Sequence, residues 1–98
     1  MYGTVARMRL KPGMEEQLIA LDRAEHAVGI PGSVTSYIYR MDAEPNVYYL
    51  AVVFESKEAY KANAASPEQD ARWQQFRELL EGDPEWHDGE IISIYPQR

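Results

Sequence analysis

The chain contains no cysteine. Neither a disulfide framework nor a thiolate nucleophile is open to it. Basic residues are few: 10 Lys and Arg stand against 16 Asp and Glu, for a net charge of −6. Phosphate backbones need a basic stripe, and the cations here are scattered among acids. Nucleic acid and anionic membranes are therefore not expected as partners. Long apolar runs are also missing. The run "YYLAVVF" (48–54) is far too short to span a bilayer. "MYGTVARMRL" shows no charged leader followed by an apolar stretch, so a cytoplasmic protein is expected. Only two histidines occur, 61 positions apart, with no Gly-rich phosphate loop and no Ser/His/Asp order. Neither a metal nor another cofactor is expected.

What is present fits one small domain over residues 1–98. The chain is 45% apolar and holds seven tyrosines and two tryptophans, so disorder is not expected. A domain of this size buries roughly 60–65% of its unfolded surface, which allows only a modest core.

The periodicities predict βαββαβ. Residues 2–10 read as a strand, followed by a "KPG" turn. From Met14 to Val28, Met14, Leu18, Leu21 and Val28 fall on one helical face, and "GIPG" (29–32) ends the helix. Residues 33–41 and 47–55, rich in β-branched and aromatic side chains, read as strands around a "DAEPN" turn. Ser56 is placed to cap a short helix. Ser66, Pro67 and Gln69 restart it with a cap, a first-turn proline and a glutamine at the third position. Trp73, Phe76 and Leu80 share a face of that second piece. "EIISIYP" (90–96) is the predicted last strand. Right-handed crossovers then place the helices on one face of a four-stranded antiparallel sheet, the ferredoxin-like α+β arrangement.

The other sheet face is too apolar for a monomer. The third strand carries Tyr48, Leu50, Val52 and Phe54 on one side and Val47, Tyr49, Ala51 and Val53 on the other. Leaving such a face wet forfeits several kcal/mol at about 25 cal/mol per Å². A homodimer packed sheet on sheet is expected.

The stretches "RMRLKPGMEEQL", "GIPGSVTSYIYR", "NVYYLAVVFESKEAYKANAASPEQ" and "DPEWHDGEI" resemble the antibiotic biosynthesis monooxygenase domain family, within the dimeric α+β barrel group. The resemblance spans nearly the whole chain and implies the fold and the homodimer. The family includes quinol and anthrone monooxygenases and haem-degrading members. The haem branch uses an asparagine on the first strand and a histidine about ten residues beyond a helical tryptophan. Here "YGTVARMRL" has no asparagine, and ten residues past Trp73 is Asp83. The anthrone-oxidising branch needs no cofactor. Its asparagine, tryptophan and tyrosine around the second helix resemble Asn63, Trp73 and Tyr60, while its arginine has no clear counterpart.

The resemblance thus implies a cofactor-independent monooxygenase acting on a small electron-rich aromatic, with Tyr60, Asn63, Trp73 and Trp86 as substrate-binding residues. His26 and His87 are the candidate bases, since unperturbed histidine titrates near pH 6.5. Other readings compete. Trp73 also reads as core packing, Asn63 as a helix break and His26 as a cation at a helix C-terminus. Trp86 reads as an anchor folding a loop over the core, with Asp88–Gly89 a turn into the last strand. His87 beside Asp88 suggests an oriented base, but neighbours in an extended segment point to opposite sides. A different class, a non-catalytic ligand-binding or stress-related module, keeps the same fold, and so does a domain that merely drives dimerisation.

Overall fold

A computed structural model describes residues 1–96. Its elements run β1 (Tyr2–Arg9), α1 (Glu15–Val28), β2 (Ser33–Arg40), β3 (Val47–Phe54), α2 (Lys57–Ala64), α3 (Pro67–Arg77) and β4 (Glu85–Glu90). The sheet order is β2-β3-β1-β4, and every adjacent pair is antiparallel. This is the expected ferredoxin-like α+β fold. Among the described residues, no helix is long and apolar enough to cross a membrane.

Local chemistry explains the helix limits. Gly29 closes α1 in the left-handed region, at φ 77°, where a side chain would be strained. Ser56 Oγ accepts the Ala59 N–H at 3.0 Å. Ser66 Oγ accepts the Gln69 N–H at 3.1 Å, and Pro67 opens α3. The break between α2 and α3 is thus a second cap, and it turns the chain at Ala65 and Ser66, where the Ser66 hydroxyl donates to the Asn63 carbonyl at 2.8 Å.

Alternation along the strands divides the sheet into two faces. Thr4, Ala6 and Met8 of β1 and Tyr48, Leu50 and Phe54 of β3 are buried. Leu18 of α1, Phe76 of α3 and Leu80 complete this core. The opposite face presents Val5, Tyr37 and Tyr39, each about half exposed in the single chain. Val28 does not join the expected apolar stripe of α1; it is 66% exposed.

The last strand differs from the sequence expectation. Residues 85–90, "EWHDGE", form it, and 91–96 lie beyond it without strand structure. Leu10 bridges Leu80, and the Glu81 N–H reaches the Arg9 carbonyl at 2.8 Å. That junction, followed by a short turn, brings Glu85 opposite Arg7 and fixes the register. Trp86, His87 and Asp88 are therefore strand residues. Trp86 is no loop anchor, and Asp88–Gly89 is no launching turn.

Candidate functional site

A cavity of about 350 Å³ lies between the helices and the covered face of the sheet. Leu50, Val52 and Phe54 form part of its floor, and Trp73, Phe76 and Trp86 wall it. The two tryptophan rings meet edge to face, with centroids 5.5 Å apart. Such a slot suits a flat apolar ring system.

Strand alternation decides which residues of β4 see this cavity. Trp86 stands beside Ala6 and Asp88 beside Thr4, both on the covered side. His87 pairs with Val5 and belongs to the open face. The structure thus separates His87 from the other five sequence candidates. His26, Tyr60, Asn63, Trp73 and Trp86 all line the one cavity.

Tyr60 sits among aromatic rings, edge-on to Tyr2 at 5.3 Å and to Phe54 at 5.5 Å. Its hydroxyl donates to Asp88 Oδ1 at 2.9 Å. Burial, followed by that bond to Asp88, pushes the phenol up to about 12. At neutral pH it is protonated. It can place a ligand but does not serve as a base.

At the α1 side, Ser36 Oγ donates to Asp22 Oδ1 at 2.9 Å, and His26 Nε2 lies 2.7 Å from the same oxygen of Ser36. Serine has one hydroxyl proton. With that proton directed at Asp22, His26 must donate from Nε2. The three residues form a chain ending on a carboxylate. Ser36 is therefore not activated as a nucleophile, and neutral His26 carries its lone pair at Nδ1.

A second polar group crosses from α2 to α3. Asn63 Nδ2 donates to Gln69 Oε1 at 3.1 Å. Arg72 donates from Nε and Nη2 to the same Gln69 oxygen at 3.2 and 3.1 Å, and from Nη2 to Asn63 Oδ1 at 3.3 Å. Asn63 is thus both a partner of the helix break and a member of the cavity wall. Arg72, missed in the sequence, braces it.

Glu25 also lines the cavity. Its Oε1 is buried with no hydrogen-bond partner among the described residues. Burial raises this carboxyl above its usual range, opposed by the charge of Arg72. The sequence does carry a signal for it. Leu18, Leu21 and Glu25 follow one helical stripe, so a carboxyl stands where the apolar pattern calls for a hydrophobe. The Asp22–Ser36 pairing has no comparable signal, because it joins a helix to a strand through tertiary packing. No three-membered group of metal-binding side chains occurs among the described residues.

A family model described as antibiotic biosynthesis monooxygenase matches residues 1–80. SnoaB from Streptomyces nogalater, a cofactor-independent oxygenase, aligns with a TM-score of 0.78 at 21% identity, over 98% of this chain and 97% of that one. A Chloroflexus aurantiacus J-10-fl protein, provisionally named an antibiotic biosynthesis monooxygenase, aligns at 0.75 with 26% identity, over 96% and 95%. A conserved protein from Methanosarcina mazei Go1 aligns at 0.74 with 14% identity, over 90% and 89%. The likenesses to the Streptomyces and Methanosarcina proteins are likenesses of fold. No curated protein matches the chain.

Proposed function

The chain belongs to the antibiotic biosynthesis monooxygenase family, and from that premise we propose that it is a cofactor-independent monooxygenase for a small, electron-rich, anthrone-like aromatic. The observation carrying this reading is the cavity itself. Its walls are tryptophan and phenylalanine, and its polar groups converge at the helix side. An aromatic ring system fits the walls, and its acidic proton meets the polar end.

The chemistry asks little more. A base removes one proton from the methylene carbon of the ring system, and the electron pair stays on the substrate. The anion passes an electron to O2, and the radical pair joins as a peroxide. The remaining C–H bond of that carbon then breaks as the O–O bond breaks: its electron pair makes the C=O of a ketone, its proton leaves on the departing oxygen as hydroxide, and the returned proton turns that hydroxide into water. In sum, one methylene and one O2 give one ketone and one water. The carbon gives up four electrons and dioxygen takes them. The protein supplies orientation and a base, contributing typically 10²–10⁴-fold through the base alone. In this reading Trp73 and Trp86 clamp the rings, the Tyr60 ring closes one side of the slot, and the second N–H of the Asn63 amide steadies the developing oxyanion.

We also propose that the working form is a homodimer joined through the open sheet face. The half-exposed Val5, Tyr37 and Tyr39 support it.

An oxygen electrode with anthrone tests the activity. Uptake above the buffer rate is expected, and Trp73→Ala should raise KM more than it lowers kcat. Anthrone binding without uptake would assign the chain to the ligand-binding modules instead.

A further inference from the structure

The reaction needs one base, and four titratable groups on the cavity wall compete for that role: Asp22, Glu25, His26 and Asp70. Their surroundings separate them. Both Asp22 oxygens accept the Ser36 hydroxyl, at 2.9 and 3.1 Å. A carboxylate fed by a donor is a weaker base. His26 spends Nε2 on the same hydroxyl, at 2.7 Å, and its side chain, with the lone pair at Nδ1, is 40% exposed, twice as much as that of Glu25. Asp70 is exposed, where water solvates its charge. Glu25 alone combines burial with an unfilled acceptor at Oε1.

The cause lies on α3. Arg72 is the natural partner for Glu25, but its Nε stands 3.8 Å from Oε1. Its N–H groups point instead at Gln69 and Asn63. The amides hold the guanidinium close enough to act through space and too far to donate. Glu25 is left desolvated and short of donors. That is the condition of a reactive carboxylate base.

We propose that Glu25 is the catalytic base, taking the acidic proton of an anthrone-like substrate directly from the ring system. This rests on the monooxygenase reading for its substrate class. In the step, a substrate C–H or tautomeric O–H bond breaks and its electron pair stays on the substrate. The proton bonds to the Glu25 carboxylate. It later joins the hydroxide released from the peroxide, which gives water and restores the carboxylate. The groups facing Glu25 are Asp22 and His26 on its own helix and Arg72 on α3. Burial and Asp22 raise the carboxyl, while Arg72 and His26 lower it. The net rise strengthens the base.

Proton removal can be read without oxygen. Under nitrogen, 1,8-dihydroxyanthrone bound to the wild-type protein should show the visible absorption of its anion. Glu25→Gln should bind the same compound, by tryptophan quenching, within a few-fold of wild type. It should lose the anion band and slow O2 uptake by roughly 10²–10⁴-fold, the contribution of a positioned base. Glu25→Asp should restore part of the band, and His26→Ala should keep it. A Glu25→Gln protein that still ionises the bound anthrone overturns the assignment. So does a wild-type protein that never ionises it, whatever the electrode reports. Should Glu25→Gln fail to fold, the pH dependence of the wild-type band decides. A midpoint above the ordinary carboxylate range that persists in His26→Ala, unmoved or shifted upward, supports Glu25, and one that His26→Ala abolishes overturns it. Ionisation without O2 uptake after air is admitted would refute the monooxygenase reading while leaving Glu25 as the base.

Discussion

Trp73 and Trp86 lie edge to face at 5.5 Å, with 64° between their planes. One ring belongs to α3 and the other to the edge strand β4, so the contact ties the outer strand to the helical layer. Trp86 nevertheless stays 47% exposed, whereas Phe76 is 7% exposed. Truncating a fully buried large aromatic costs about 3–5 kcal/mol. Trp86→Ala should then cost about half of that, and Phe76→Ala the whole. Urea unfolding of both variants would check the ratio, and equal losses would contradict the half-buried placement.

A second prediction concerns acid. Glu15 Oε1 accepts from Arg40 Nε at 2.6 Å and from the Tyr48 hydroxyl at 2.7 Å. The Arg40 bond, aided by Tyr48, lowers the Glu15 carboxyl from 4.5 to about 2. A depressed carboxyl adds stability above its unfolded value, and that stability fades as pH falls through the folded one. Glu15→Gln should therefore be less stable than wild type at neutral pH. The gap should close between 4.5 and about 2. Thermal melts across that window would show it, and a gap independent of pH would refute the linkage.

The dimer predicts a mass. Sedimentation at micromolar concentration should give twice the 11.3 kDa chain. Val53 lies opposite Thr35 and Gly3 on the open-face register. Val53→Lys should shift the sedimenting species to the monomer without destroying the circular dichroism of the sheet and helices. A monomeric wild-type protein would sink the sheet-on-sheet proposal.

These placements are not equally legible in the sequence. β3 announces itself by an unbroken run of β-branched and aromatic residues, apolar toward both faces. The caps Ser56 and Ser66 are readable because capping is local, needing only a hydroxyl three residues before an N–H. β4 is the opposite case. All six of its residues are exposed, and its sequence, "EWHDGE", lacks the β-branched pattern of a strand. Backbone pairing with β1 holds it there, started by the Leu10–Leu80 bridge. The apolar "IISIY" is more strand-like in composition, yet Ile92 is 93% exposed. The placement of His87 is hidden for the same reason, since the face of a strand residue depends on a register that only the tertiary fold sets. The pairing of Glu25 with Arg72 is obscured by distance, the two being 47 positions apart and meeting only when α1 and α3 share the cavity.

Gly3 gives a packing test. A Cβ there would stand 1.8 Å from the Val52 carbonyl oxygen, which is backbone and cannot swing aside. Gly3→Ala should force β1 from β3 and cost about 3 kcal/mol or more, at the upper end for single substitutions. A chemical denaturation midpoint equal to wild type would show that the strands can shift at little cost.

The strand order has a consequence in time. β1 stands between β3 and β4, and it leaves the ribosome before either of them. Tyr2 must wait for Phe54 on one side and Glu90 on the other. Until then its backbone donors and acceptors are satisfied by water, and Met8 and Leu10 have little to pack against. The hairpin of β2 and β3 can form first, from neighbours in sequence. Closing the sheet around β1 is a long-range event, which slows folding and exposes an unpaired strand to other nascent chains. Variants that weaken β4 should therefore lower soluble yield during synthesis more than they lower the equilibrium stability of protein already folded.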